Sequence, residues 1–180
     1  MAGAAVMAIR SRERTRTVSV TLAEEPVNAT EPTAEGHHPR TWPPLEFRVT
    51  VPAPRPEVWR AFTDPALLVR WLAREASSDR HVLCLGWPGG TMRCRVVQRD
   101  REQKLRFSWP DPSGMFPETF VVVGLQADGD RTLVDLEHYG FGRGDDWDDL
   151  YVGVARAWSG YLKNLRSLFS GGPDLRENDE

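Results

Sequence analysis

The chain has 180 residues, 40% of them hydrophobic and seven of them tryptophan, which suits one domain with a substantial core and an extra segment. The formal net charge of −3 lies in the last ten residues, because basic and acidic side chains cancel in residues 1–44 and again in residues 45–170. This balance gives no reason to expect binding to nucleic acid or to an anionic membrane. The sequence shows no apolar run of about 18 residues and no secretory signal, so we expect a cytoplasmic protein.

The first 44 residues predict an extension of the domain. They are rich in Pro, Glu, Ala and Thr, a composition that buries little apolar surface and favours disorder. Only Thr17–Leu22 alternates apolar and polar residues, which is a weak indication of an edge strand. We therefore expect residues 1–44 to be disordered, residues 45–170 to form the domain, and residues 171–180 to form a disordered acidic tail.

The domain is predicted to begin with one strand and two short helices. Leu45–Val51 alternates apolar and polar side chains, as a half-buried strand does. Prolines end this strand, and an amphipathic helix follows with its apolar face around Trp59 and Phe62. Asp64 and Pro65 then predict the start of a second helix, because the carboxylate accepts free amide protons and proline fits the first helical position.

A run of antiparallel strands is predicted next, with turn residues between the apolar runs. Pro-Gly-Gly at 88–90 and Ala-Asp-Gly-Asp at 127–130 are hairpin signals. A three-residue loop at 88–90 would make Cys84 and Cys94 cross-strand neighbours. We interpret them as two small buried thiols, since a cytosolic disulfide is rare and a metal site would need two further ligands. No metal and no cofactor are predicted.

The last element is a long helix over Trp147–Phe169, for which Asp145 or Asp146 is the expected cap. Its apolar side, which includes Trp158, Tyr161 and Leu162, is wider than one packed surface requires. Strands that run together between helices, without β–α alternation, predict the α+β class. The packing that fits is a curved antiparallel sheet wrapped around the long helix, which leaves a cavity between them.

Four segments in order carry a family resemblance. They are VPAPRPEVWRAFTDPALLVRWL at 51–72, Val96 with LRFSW at 105–109, GDRTLVDLEHYGF at 129–141, and AWSGYLKNL at 157–165. Together they resemble the START-like, Bet v 1-like (SRPBCC) superfamily, in the branch named for the C-terminal domain of the Hsp-90 ATPase activator. The resemblance implies the helix-grip fold, with a long C-terminal helix across a concave sheet. Ala157 departs from the family pattern, which often has glycine there.

The candidate ligand cavity is apolar and aromatic, although the same side chains would equally suit a filled core. His138 should face inward with Val134 and Leu136, either to orient a ligand or act as an acid or base, or as a hydrogen-bonded structural residue. The candidate cavity residues are Phe62, Trp71, Phe107, Trp109, Val121, Val123, Val134, Leu136, His138, Val154, Trp158, Tyr161 and Leu162.

Three functions remain open from the sequence. The first is a protein that binds a hydrophobic small molecule in this cavity. The second is an enzyme of the cyclase or dehydratase kind that the superfamily contains, which would act on a hydrophobic substrate through a few cavity residues. The third is a protein-interaction module, such as a chaperone accessory, that acts through its surface. The sequence contains no nucleophile–base pair, metal cluster or nucleotide motif that would favour an enzyme.

Overall fold

The computed structural model describes residues 41–178, so almost all of the predicted N-terminal extension, including Thr17–Leu22, lies outside the described residues. The elements are β1 (Leu45–Val51), α1 (Arg55–Thr63), α2 (Pro65–Trp71), β2 (Glu75–Ser78), β3 (Val82–Trp87), β4 (Gly90–Asp100), β5 (Lys104–Trp109), β6 (Thr119–Asp128), β7 (Arg131–Tyr139), α3 (Asp145–Phe169) and a short 3₁₀ helix (Leu175–Asn178). Seven antiparallel strands form one curved sheet in the order β1-β7-β6-β5-β4-β3-β2. The predicted α+β helix-grip fold is confirmed.

The start of α2 follows the predicted signal. The Asp64 carboxylate accepts a hydrogen bond from the amide of Ala66 at 3.0 Å, and Pro65 occupies the first turn. Trp71, at the end of α2, donates its indole N–H to the carbonyl of Ala61 at 2.9 Å and meets the ring of Phe62 edge to face at 5.0 Å. These contacts hold α1 and α2 together as one buried corner beside the sheet.

The start of α3 differs from the prediction. The capping position is Gly144, with a φ of +124°, so Asp145 and Asp146 are the first two residues inside the helix. The Asp148 carboxylate reaches back from the next turn and accepts the Gly144 amide at 3.3 Å and the Trp42 indole N–H at 2.7 Å. The prediction was wrong because glycine at the cap allows a backbone conformation in which a carboxylate further along the helix supplies the acceptor.

The hairpin of β3 and β4 has a shorter turn than expected. Trp87 pairs with Gly90, so the turn contains two residues and the register places Leu83 opposite Cys94. The prediction that Cys84 and Cys94 are cross-strand neighbours is therefore wrong, because a slip of one residue moves a side chain to the other face of the sheet. Cys94 is buried, which raises the pKa of its thiol to about 12, whereas Cys84 is half-buried on the opposite face.

Two features of the sheet were not predicted. The four-residue strand β2 pairs with β3 at the edge of the sheet, and its sequence EASS has no apolar alternation that would reveal a strand. A bulge in β4 falls between Val96 and Gln98, and Val97 between them is 46% exposed. A bulge of this kind bends the strand and increases its twist, which contributes to the curvature of the sheet.

The segment after α3 is docked on the protein at residues 173–176, whereas the sequence predicted a disordered tail over 171–180. The Arg176 guanidinium donates to the carbonyls of Val69 and Ala73 at the end of α2 and pairs with Asp174. This pairing lowers the pKa of Asp174 to about 2. The tail is ordered there because α2 ends in carbonyls without helical partners, which an arginine can satisfy.

One chain of hydrogen bonds joins α3 to the sheet. Trp158, 1% exposed, donates its indole N–H to Nδ1 of His138 at 2.9 Å, and His138 on β7 is fully buried. Nε2 of His138 lies 2.7 Å from the hydroxyl of Thr119, and that hydroxyl donates to the carbonyl of Trp109 at 3.0 Å. The chain therefore links α3, β7, β6 and β5 through side chains in the core.

The donors in this chain determine the protonation state of His138. An indole N–H can only donate, so Nδ1 of His138 must accept and carries no proton. The Thr119 hydroxyl donates to Trp109, so it accepts the proton of Nε2. His138 is therefore neutral, and burial lowers its pKa from 6.5 to about 3. A charged imidazole would place a donor against the Trp158 N–H.

Two substitutions of Trp158 should separate the contribution of its hydrogen bond to stability from the contribution of its packing. Trp158→Phe keeps most of the ring but leaves Nδ1 of His138 without its donor, which should cost about 1–3 kcal/mol of unfolding free energy. Trp158→Ala also removes a large buried side chain and should cost about 3–5 kcal/mol. Urea unfolding measures both losses, with Val152→Ala on the exposed side of α3 as a control that should change stability little. A Trp158→Ala protein of wild-type stability would contradict this account of the core.

The depressed pKa of His138 predicts a loss of stability in acid. Between pH 6.5 and about 3, the unfolded chain binds a proton at this position that the folded protein does not, so stability falls as the pH falls. The free energy of unfolding should decrease by up to about 1.4 kcal/mol per pH unit in this window, beyond the contribution of other groups. Above pH 6.5 the effect is absent.

The measurement is the pH dependence of urea unfolding for wild type, His138→Gln and His81→Gln. His81 is exposed in the loop before β3, so its variant should keep the wild-type slope between pH 6.5 and 4.5. His138→Gln should show a shallower slope, whatever its absolute stability. Equal slopes in the two variants would show that His138 does not titrate differently in the folded and unfolded states.

Candidate functional site

A groove of about 390 Å³ lies between α3 and the sheet and is open to solvent on one side. The sheet side comes from β3, β4, the end of β5 and the loop that follows it, and α3 forms the other wall. The lining residues are Trp87, Met92, Trp109, Pro112, Asp149, Leu150, Gly153, Val154, Ala157, Trp158 and Tyr161. Nine of these eleven side chains carry no ionisable group, so the groove is an apolar site with few polar contacts.

The room for the groove comes from two small residues on α3. Gly153 and Ala157 lie four positions apart and therefore stack on one face of the helix. A Cβ placed on Gly153 would meet no atom within 4 Å, which shows that this position faces open space. The bulky neighbours Leu150, Val154 and Trp158 flank the two small residues, so the helix face forms a trough.

Four aromatic side chains form a closed set of ring contacts along the groove, and we call them the aromatic quartet: Trp87, Trp109, Trp158 and Tyr161. The ring centroids of neighbouring members lie 6.0 Å apart for Trp87 and Trp109, 5.2 Å for Trp109 and Trp158, 5.9 Å for Trp158 and Tyr161, and 6.4 Å for Tyr161 and Trp87. Tilted and edge-to-face contacts at these distances fix the rings against one another.

The polar atoms of the quartet are largely used inside the protein. The indole N–H of Trp87 donates to the carbonyl of Leu72 at 3.0 Å, and that of Trp158 donates to His138. Burial raises the pKa of the Tyr161 phenol, so the phenol stays neutral near pH 7. Two of the three indoles therefore offer a ligand only their carbon framework.

The loop between β5 and β6 contributes Pro112 to the groove. Its Asp111 carboxylate accepts the amides of Ser113, Met115 and Phe116, which holds the loop in a compact turn. Phe116 packs on Trp147 of α3 with ring centroids 4.6 Å apart. Gly142 makes room for Trp147, because a Cβ at this position would come within 2.6 Å of the indole. The loop is thus attached to the first turn of α3.

The structure divides the candidate cavity residues into two sets. Trp109, Val154, Trp158 and Tyr161 line the groove. The other nine are at most 2% exposed and pack in the core away from the groove wall: Phe62, Trp71, Phe107, Val121, Val123, Val134, Leu136, His138 and Leu162. His138 supports the groove from behind Trp158, and both of its ring nitrogens have partners, which favours the structural alternative for this residue.

Sequence reasoning missed the other seven lining residues, including Trp87, Asp149, Gly153 and Ala157. The search favoured bulky apolar residues, which mark cores and cavities alike. The informative signal was the pair of small residues at 153 and 157 within the apolar side of a long helix, since small residues there create space. Trp87 could not be assigned, because its position depends on the register of β3 and β4.

The described residues show no arrangement typical of a catalytic or metal centre. No three His, Cys, Asp or Glu side chains within residues 41–178 lie close enough together to hold a metal ion. The only ionisable side chains that line the groove are Asp149 and Tyr161, and no described Ser, Cys or His lies with them. In the part of the chain that the structure describes, no helix is long and apolar enough to cross a membrane.

Solved structures with the same fold include proteins that are 28%, 25% and 15% identical to this chain. CalU16 from Micromonospora echinospora is 28% identical with a TM-score of 0.60, over 75% of this chain and 82% of that chain. DynU16, from the dynemicin biosynthetic locus, is 25% identical with a TM-score of 0.59, over 73% and 49% of the two chains. Aha1 from Colwellia psychrerythraea, solved as a dimer, is 15% identical with a TM-score of 0.61, over 70% and 95%.

None of the curated proteins matches the sequence significantly. A family model described as activator of Hsp90 ATPase homolog 1-like protein matches residues 52–170, from the residue after β1 through α3 and the turn residue that follows it. These residues contain three of the four sequence segments in full and the first from Pro52, together with strands β2 to β7 and all eleven positions that line the groove. The chain belongs to the family of activator of Hsp90 ATPase homolog 1-like proteins.

Proposed function

We propose that this protein binds a hydrophobic small molecule in the groove between α3 and the sheet. The observation that carries the proposal is the groove itself, with about 390 Å³ of space and a lining of aromatic and aliphatic side chains. This volume lies in the range of small-molecule sites, which are mostly apolar with a few polar groups that orient the ligand. Asp149 and Tyr161 supply those polar groups.

The way in which the groove walls are held in place favours a binding site over a packing defect. It runs beside Trp158, whose indole is fixed by His138, and beside Trp87, whose indole is fixed by the end of α2. These side chains hold their positions without a ligand, so little conformational entropy is lost when one binds. A wall built on fixed aromatic rings provides a preformed surface for a hydrophobic partner.

The two other functions have less support from the described residues. An enzyme that acts through its cavity would need inward-facing acid and base groups, whereas His138 is enclosed and neutral and the groove offers one carboxylate and one phenol. An interaction module would need a continuous exposed apolar patch. The exposed large hydrophobic residues of residues 41–178 are Val97 on β4, Met115 in the loop between β5 and β6, and Val152 on α3. The free thiols Cys84 and Cys94 fit the reducing cytoplasm that we propose as the location.

The test is the binding of a neutral hydrophobic dye, N-phenyl-1-naphthylamine, to the native protein. We expect saturable binding with an increase in dye fluorescence. Ala157→Trp should abolish it, because a large side chain would fill the trough, and Ala157 is exposed enough for the fold to survive. Circular dichroism and urea unfolding of this variant should stay close to wild type.

Val152→Trp is the matched control, since Val152 lies on the same helix, is 46% exposed and does not line the groove. It should bind the dye as wild type does. Absence of saturable binding to the wild-type protein would refute the proposed function. Equal loss in the two tryptophan variants would show that the dye does not bind in the groove.

A further inference from the structure

The acidic and basic side chains that line the groove are represented by one carboxylate. Among the lining residues, Asp149 is the only one with a carboxylate, and no Lys, Arg or His is present. The exposed carboxylate of Asp146 lies on the same turn of α3, and the Asp148 carboxylate also lies there. These side chains outweigh the partial positive charge of the helix N-terminus, which amounts to about half a unit charge.

Two cations that lie near α3 are engaged elsewhere. Arg143 lies over the ring of Trp42, with its guanidinium carbon 4.4 Å from the ring centroid. Arg176 is near enough to lower the pKa of Tyr161 slightly, but the carboxylate of Asp174 neutralises its charge. Within the groove lining, an anionic ligand would meet the Asp149 carboxylate and no Lys, Arg or His side chain.

The aromatic quartet also favours a cationic ligand over an anionic one. The face of an aromatic ring carries a negative electrostatic potential, which attracts cations and is strongest for tryptophan. Three of the four rings are indoles, and the N–H groups of Trp87 and Trp158 point to acceptors inside the protein. These two groups are the positive parts of the indoles, and their engagement leaves fewer donors for an acceptor-rich ligand.

We propose that the preferred ligand is a hydrophobic molecule with a cationic nitrogen, such as an aromatic ring system that carries a tertiary or quaternary amine. The hydrophobic body lies on the quartet, and the cation lies between the aromatic rings and Asp149. This inference rests on the proposed function, because it names the ligand class of the same groove. Asp149 is exposed to solvent, so its attraction is modest and weakens as salt is added.

The experiment uses three naphthalene probes of similar size. One carries a trimethylammoniomethyl group, the second carries its uncharged isostere, a neopentyl group, and the third carries a methanesulfonate. Titration calorimetry with the full chain should give the tightest binding for the cation, about three- to ten-fold tighter than the isostere. The sulfonate should bind most weakly.

Asp149→Asn should reduce the preference for the cation, measured as the ratio of its affinity to that of the neutral probe, about three-fold or more. Asp146→Asn is the matched control, since it removes the same charge from the same helix turn outside the groove lining. It should change the preference for the cation less than two-fold, because charges screened by solvent interact weakly. An equal loss in the two variants would refute the role of Asp149.

The failure of this inference can be told from that of the proposed function. If the neutral or anionic probe binds at least as tightly as the cation, and Ala157→Trp blocks it, the groove binds hydrophobic molecules but has no preference for cations. That result would overturn the inference and leave the proposed function intact. If none of the three probes binds, the proposed function fails, and the inference fails with it.

Discussion

The hydrogen bond from Trp158 to His138 is the contact on which the rest of the structure depends. It joins the middle of α3 to β7, and through Thr119 it continues to the carbonyl of Trp109 on β5. Buried polar groups cost free energy unless each has a partner, so this chain stabilises only one placement of the helix on the sheet. A helix that slid along the sheet would leave Nδ1 of His138 without its donor.

The fold of this chain could be predicted from its sequence because its main signals are local. The alternation in β1 and β7, the Asp64–Pro65 start of α2 and the length of α3 each fix one element without reference to the others. The groove could not be predicted in the same way. It depends on the register of β3 and β4, in which a slip of one residue decides where Trp87 and Cys94 point, and on absent side-chain volume at Gly153 and Ala157.

For His138, the sequence could predict the face of the strand but not the hydrogen-bond partners. Alternation along β7 placed its side chain in the interior, and the structure agrees. Its role depends on Trp158 and Thr119, which lie 20 and 19 positions away in the sequence. Sequence periodicity reports which face a residue occupies, whereas its chemistry is set by partners that only the packed structure brings together. The same holds for Arg176, whose acceptors at the end of α2 lie more than 100 positions away.

The trough on α3 has an evolutionary consequence. The helix is held by Trp42 and Asp148 near its start, by His138 in its middle, and by Asn164 and Arg176 near its end. None of these contacts involves positions 153 or 157, so the width and depth of the groove can vary at two residues while the scaffold stays fixed. Substitutions there would change the shape of the groove at little cost in stability, and exchange between glycine and alanine at 157 would be the smallest such step.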